Sequence, residues 1–340
     1  TYLDVVLAID MSGSMSSSTG GQSRIAAART AAIDLVNILF GNDETKELLN
    51  IGIVPWNGKV NITRNGTVFD PTLTTATVVP AFTNPLTGIV QSVVQVPNNS
   101  PVPLLSAPPA DWQGCVYSRF IDNATEDDDA DIVFGAQSSA TGDWNAWEHV
   151  SADGEPISPG VCVMSTNGSE CTRCLSHGIT ALQSTKSGTL AAINELTSPT
   201  GTTNITQGLG WAWRVVKPEA PYTEADPDPD GPRQQAIVLL TDGENFGGNG
   251  DGYKTVFGRG TPAGPEMNAR LLALANNIKA DGVIIYVIQF ANSGGALQQL
   301  LKDVASGPNS PYYYYAPNGD ALQQVFREIA IHLSELRLAK

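Results

Sequence analysis

Residues 2–15 read YLDVVLAIDMSGSM, and this stretch decides the fold. Residues 3–9 form a short, largely apolar run that fits a buried strand and little else. The run ends abruptly in Asp10, Ser12, Gly13 and Ser14. One carboxylate and two hydroxyls at alternate positions, with a glycine that lets the loop turn tightly, gather three oxygens on one side of a strand-to-helix loop. Such oxygens suit a hard divalent cation, Mg²⁺ or Ca²⁺, better than zinc. Two further stretches extend the set: GTTNITQGL at 201–209 offers Thr203, and AIVLLTDGEN at 236–245 is a second apolar strand that ends in Asp242.

Composition sets outer bounds. With 340 residues the chain is long enough for one large domain or two modest ones. A formal charge of -15 argues against a surface for nucleic acid or anionic lipid. A hydrophobic content of 41% is ordinary, and no apolar run approaches bilayer length. Few lysines and arginines, abundant glycine, proline, serine and threonine, and four cysteines predict an extracytoplasmic protein. Opening directly on a strand, the chain is expected to be a mature ectodomain or a trimmed piece of one, its signal peptide and membrane anchor removed.

Along the chain, residues 23–40 carry the periodicity of a first helix, with Ile25, Ala28, Ala32, Leu35, Val36 and Leu39 on its apolar face and Arg24, Arg29 and Asp34 elsewhere. Its N-terminus would follow the oxygen-rich loop directly and add backbone N–H groups there. LLNIGIVPWNGKVNI at 48–62 predicts a strand, a turn at Asn57-Gly58 and a short returning strand, with Trp56 as a packing residue.

From about 64 to 184 the rhythm breaks into prolines, turns and short β-like runs: TVVPAF, GIVQSVVQV, CVYSRFI and GVCVM. The stretch is too long for a structureless loop, so it reads as an inserted subdomain, with Trp112, Phe120, Trp144 and Trp147 as candidate core. All four cysteines, Cys115, Cys162, Cys171 and Cys174, fall within it. Disulfides are expected, since cross-links contribute most where apolar material is scarce. Spacing does not choose among the three pairings, and a four-sulfur zinc site or free thiols are the alternatives. The segment LSHGITALQS after Cys174 reads as helical.

The run DNATEDDDAD at 122–131 has two readings: a solvated acidic loop, or a second calcium site using Asp127, Asp129 and Asp131 as alternating oxygens. It lacks the glycine and distal glutamate of a helix-loop-helix calcium loop. TEADPDPDGPR at 223–233 reads as a stiff surface connector, and GGNGDGY around Asp251 as a candidate wall of the ligand site.

After the insertion the α/β alternation resumes. Helices are expected at GTLAAINELTS, ITQGLGWAWRVV, GPEMNARLLALANNIKADG, GALQQLLKDVAS and residues 320–340, and strands at QQAIVLLTD, VIIYVIQF and YYYYAP. The glycines at 208 and 210 permit close packing, and Trp211 and Trp213 cover neighbouring elements. VIIYVIQF is continuously apolar, as a strand covered by helices on both faces must be. The fold class is therefore α/β, an open, doubly wound, mostly parallel sheet. The organisation expected is a domain in two parts, 1–63 and 185–340, around an inserted subdomain at 64–184. Ligands of such sheets bind beyond the carboxyl ends of the strands, where Asp10 and Asp242 both lie.

These stretches, their order and the strand-end position of both aspartates resemble the metal-ion-dependent adhesion site of the von Willebrand factor type A family. The resemblance implies that Ser12 and Ser14 are direct hydroxyl ligands, that Thr203 is a third, direct or through water, and that Asp10 and Asp242 are the carboxylates. Mg²⁺ is the expected cation, with Mn²⁺ or Ca²⁺ able to substitute, and the remaining coordination position is left for an acidic residue of a protein partner. It also implies that the hairpin at 48–62 contains the sheet's one antiparallel edge strand. A narrower resemblance, to TadG-like proteins of the bacterial tight-adherence (Tad/Flp) pilus assembly system, rests on VVLAIDMSGSM, IGIVPWNGKVNI, ADWQGCVYSR, VLLTDGEN and the terminal LSELRLAK. Those proteins carry an N-terminal membrane anchor, which this chain would have lost, and act at the periplasm, outer membrane or cell surface.

Three classes of function follow. The leading one is a metal-dependent protein-binding module for adhesion or pilus assembly, its partner an envelope or pilus component with an exposed Asp or Glu. The second is a structural envelope or minor-pilus subunit whose metal braces the fold. A metal-dependent hydrolase ranks last, since no histidine base or activated nucleophile is placed by the sequence and no phosphate-binding G-x-x-x-x-G-K-[ST] loop is present, so no enzyme is expected.

Overall fold

The computed structural model describes residues 1–64, 75–83, 90–97, 99–102, 113–116, 174–219, 221–246 and 264–338. The main sheet has six strands: β1 (Tyr2–Asp10), β2 (Leu49–Trp56), β3 (Thr180–Gln183), β4 (Arg233–Thr241), β5 (Ile284–Phe290) and β6 (Tyr313–Ala316). Their order is β6-β5-β4-β1-β2-β3, and every neighbouring pair is parallel except β2 with β3. Six helices are described: α1 (Arg24–Phe40), α2 (Lys186–Asn194), α3 (Ile205–Val216), α4 (Gly264–Ala280), α5 (Gly295–Val304) and α6 (Gly319–Leu338).

The sheet is covered on both faces, and β1 shows why its sequence is so apolar. Leu3, Val5, Leu7 and Ile9 join the core formed with α1, α2 and α6, while Val6 and Ala8 join the opposite core formed with α3, α4 and α5. Side chains alternate between faces at the strand's period of two, so a strand with helices on both sides must be apolar throughout. Helix ends follow local chemistry. The Ser23 hydroxyl caps α1 by accepting the Ala26 N–H at 3.3 Å, and Gly41 ends it at φ 63°.

Two expectations need correction at the sheet edge. The returning strand of the 48–62 hairpin does not join the main sheet; Val60–Asn61 pairs instead with Cys115–Val116. The antiparallel edge is β3, within the segment expected to be helical and ahead of residue 185. Thr180 and Leu182 are buried while Ala181 and Gln183 are half-covered, which is the period of a strand with one protected face. Gly52 of β2 makes room for it, since a Cβ there would lie 3.2 Å from the Thr180 carbonyl oxygen and 2.9 Å from Val215. Nor does α1 follow the first loop directly: a 3-10 turn, Gly13–Ser16, and a small hairpin pairing Ser18–Thr19 with Gln22–Ser23 intervene.

Within the insertion, Thr75–Thr83 and Val90–Val96 form an antiparallel pair, as the runs TVVPAF and GIVQSVVQV predict. Cys115 and Cys174 form a disulfide, with Cα atoms 5.5 Å apart. That bond excludes the four-sulfur zinc alternative, because neither sulfur remains a free thiolate. Cys162 and Cys171 lie outside the described residues, as do Trp112, Phe120, Trp144, Trp147, the acidic residues Asp127, Asp129 and Asp131, and the glycine-rich run around Asp251.

Candidate metal centre

The order of the strands places the centre. From β1 the chain moves outward through α1 to β2; from β4 it moves the opposite way through β5 to β6. The crevice between β1 and β4 is thus the switch point of the winding, the place where α/β sheets hold ligands. Register brings the two carboxyl ends level, with Ile9 opposite Leu240, so Asp10 and Asp242 emerge side by side.

Asp10 is fully buried. Its Oδ1 accepts the Ser12 N–H at 2.7 Å, and its Oδ2 accepts the Thr241 hydroxyl at 2.8 Å. Burial, followed by the neighbouring charge of Asp242, pushes its carboxyl up to about 7 against the opposing pull of the Ser12 and Thr241 hydrogen bonds. Ser12 is buried as well, with its Oγ 3.1 Å from that of Ser14. The Ser14 hydroxyl donates to Asp242 Oδ1 at 2.5 Å, and Arg24 Nη1 donates to Asp242 Oδ2 at 2.8 Å.

Thr203 arrives from the loop before α3. A Cβ placed on Gly243 would stand 3.8 Å from both Ser14 Oγ and Thr203 Oγ1, so the two hydroxyls flank that glycine together. Backbone bonds weld the three loops: Gly13 N–H to the Gly201 carbonyl at 2.9 Å, Thr200 N–H to Met11 at 2.8 Å, and Phe246 N–H to Thr203 at 2.9 Å. Asn57 and Asn245 act as side-chain ties. Asn57 Nδ2 donates to the Thr200 carbonyl at 2.8 Å, and Asn245 Oδ1 accepts the Ile205 N–H at 2.9 Å, satisfying an end of α3 that has no side-chain cap of its own. An open groove of about 540 Å³ leads away from Ser14 and Thr203, past Phe246 and Asn292, to Leu297 and Leu300 on α5.

All five residues expected at the site therefore meet at one crevice. Sequence reading missed Arg24, expected to face elsewhere, and also Thr241, Asn57 and Asn245. Thr241 could have been found as the hydroxyl preceding the strand-end aspartate. Arg24 could not, because its partner is 218 residues away.

The donor set fits a hard cation. Among the described residues no group of three or more His, Cys, Asp or Glu side chains is placed to hold a metal, so hydroxyl oxygens would have to complete any coordination here. Ser14 is prepared for that role: its proton is directed at Asp242 and the Ser12 hydroxyl lies on one lone pair, which leaves the other free. Asp10, held in a buried place that disfavours its charged form, is the kind of group that a nearby cation relieves.

An open doubly wound sheet with hydroxyl and carboxylate donors at its switch point is the architecture of a type A domain. Residues 176–328 match the family described as von Willebrand factor type A domain. No curated relative matches in sequence. Among solved structures, the pilus adhesin SpaC from Lactobacillus rhamnosus GG is similar at 14% identity and a TM-score of 0.48, over 98% of this chain and 30% of that one. The vWF domain of the type V pili tip protein Mfa5 from Porphyromonas gingivalis is similar at 12% identity and a TM-score of 0.48, over 98% of this chain and 95% of that one. Proximal thread matrix protein 1 from the mussel byssus, solved with a zinc-occupied MIDAS motif, gives 13% identity and a TM-score of 0.44, over 98% and 46%. The chain spans 30% of the SpaC chain and 46% of the mussel protein's.

Proposed function

We propose that this protein is a metal-ion-dependent protein-binding module of the cell envelope, serving adhesion or pilus assembly, in which Asp10, Ser12, Ser14, Thr203 and Asp242 hold one divalent cation, Mg²⁺ in the first place. The observation that carries the reading is the convergence of three hydroxyls and two carboxylates at the switch point, with the Ser14 proton turned toward Asp242. When bound, the cation supplies an electrophilic position that accepts one carboxylate oxygen of a partner. The chain's residues do the rest. Asp10 and Asp242 supply the compensating charge, and the serines and Thr203 contribute neutral oxygens that leave the cation's field unspent. Gly243 keeps the floor between Ser14 and Thr203 free of a side chain, and the groove beyond gives a partner segment room to lie.

The proposed setting is extracytoplasmic, supported by the Cys115–Cys174 disulfide. Among the described residues no helix is long and apolar enough to cross a membrane. The narrower affiliation with TadG-like proteins belongs to the same proposal and rests on the sequence phrases alone. The division into a type A domain in two parts around an inserted subdomain, expected at 64–184, belongs to it as well, with the second part opening at β3, ahead of residue 185.

The test has two arms. Calorimetric titration of metal-free protein with Mg²⁺ and Mn²⁺ is expected to show one site, lost in Asp10→Ala and Asp242→Ala. Pull-down from envelope extract, with magnesium or with chelator, is expected to retain an acidic partner only on wild-type protein with magnesium. Equal retention in all conditions would remove the centre from the binding surface.

A further inference from the structure

Asp242 is held from two sides. Ser14 occupies Oδ1, and the guanidinium of Arg24 occupies Oδ2 at 2.8 Å in an ion pair whose acidic partner is wholly buried and whose basic partner is 21% exposed. Arg24 is the first residue of α1, directly after its cap Ser23. A helix N-terminus favours negative charge, so an arginine at that position is locally disfavoured. Its Nε is also buried without a hydrogen-bond partner. Neither circumstance stabilises an arginine here; the contact with Asp242 does. The metal-free centre is consequently, among the described residues, an aspartate pair with an internal positive charge from Arg24.

We propose that Arg24 is the tethered counter-charge of the centre: it balances Asp242 in the metal-free protein and sets how tightly the divalent cation is held. The inference rests on the metal reading above. A dication approaching the site meets a carboxylate already paired, and the guanidinium's charge opposes it at close range in a poorly screened crevice. Removing that charge has two effects of opposite sign. The metal-free protein loses stability because Asp10 and Asp242 then confront one another uncompensated, and the cation is held more tightly because nothing competes for Asp242. An arginine that merely packed would give the first effect without the second.

The experiment compares wild type with Arg24→Gln, Arg24→Met and Arg24→Lys, by calorimetric titration with Mn²⁺ alone and by thermal unfolding in chelator and in saturating Mn²⁺. Expected are about tenfold tighter Mn²⁺ binding in both neutral variants, a lower unfolding midpoint in chelator, and recovery of that deficit when Mn²⁺ is present. The lysine variant, which keeps the charge, should return both quantities toward wild type. A neutral variant that folds only with Mn²⁺ would support the proposal in its extreme form. Neutral variants that bind Mn²⁺ no more tightly than wild type, or that stay unfolded with Mn²⁺ present, overturn it. If wild type binds Mn²⁺ and the variants bind equally, Arg24 loses its role while the metal centre stands. If wild type and variants alike bind none, the metal centre itself falls, and the inference with it.

Discussion

The hydroxyl of Ser14 donates to Oδ1 of Asp242 at 2.5 Å across 228 residues of chain. One side chain is supplied by the turn after β1, the other by the end of β4, and the bond fixes which way the serine's proton points. Ser14→Ala should therefore weaken Mn²⁺ binding by at least the roughly 10–100-fold typical of groups that only orient a metal's ligands, since Ser14 is itself proposed as a ligand. The cost to metal-free stability should be only about 1 kcal/mol, because one half-exposed hydrogen bond is lost. Titration calorimetry and urea unfolding read the two quantities separately; a large stability loss with unchanged affinity would make the bond structural.

A pH dependence follows from Asp10. Its carboxyl, near 3.8 when unfolded, is raised to about 7 in the folded protein by burial and by the charge of Asp242. The folded state thus binds the proton more tightly than the unfolded state. This group's contribution to stability is fully present below about 4 and is lost as pH rises through about 7. Metal-free protein should then gain stability from this residue as pH falls from 7.5 to 5, whereas Mn²⁺ affinity should fall over the same range as cation and proton compete. Asp10→Asn should flatten that stability slope and abolish binding. A slope of equal size in the variant would assign it to other groups.

Much of the site is legible in the sequence because it is built from local strings. Asp10, Ser12 and Ser14 share one loop, and Asp242 ends an apolar run that can only be a covered strand. The stretch at 201–209 offers several hydroxyls, Thr203 among them, and the family resemblance is what assigns Thr203 its role as the third ligand. Arg24 is illegible for a physical reason: helical periodicity places it off the apolar face of α1 but cannot say what lies opposite. The edge strand β3 is hidden differently. Four residues with one protected face carry too little pattern to compete with a short helix, and Gly52, which admits them, lies far away in sequence.

Close packing between α3 and β2 gives a test remote from the chemistry. A Cβ on Gly208 would fall 2.4 Å from Cδ1 of the fully buried Trp56 indole. Gly208→Ala should cost about 1–3 kcal/mol, as overpacking does when a rigid ring cannot give way. Because α3 begins at Ile205, just after Thr203, the same shift should loosen the hydroxyl it carries. A moderate loss of Mn²⁺ affinity should accompany the loss of stability, and an affinity unchanged to within twofold would show that the loop holds Thr203 independently of the helix.

The Cys115–Cys174 disulfide joins positions 59 apart in sequence, tying the middle of the insertion to the stretch that leads into β3. Around it, Asn61 Nδ2 donates to the carbonyls of Gln113 and Leu175 at 2.9 Å each, so the bond sits within a polar junction at the edge of the main core. A loop of that length, freed in the unfolded chain, corresponds to a loss of about 4 kcal/mol on the chain-entropy account, with the hydrogen bonds expected to retain the native arrangement. Cys115→Ser should therefore lower the denaturant midpoint markedly while leaving Mn²⁺ affinity at saturating folded fraction within about twofold, since β1, β4 and α3 hold the centre without it. Peptide mapping of unreduced wild-type protein should recover the 115–174 link directly. A variant as stable as wild type would mean that the insertion is held by its packing alone, and a variant that is folded but blind to Mn²⁺ would mean that the insertion shapes the metal centre.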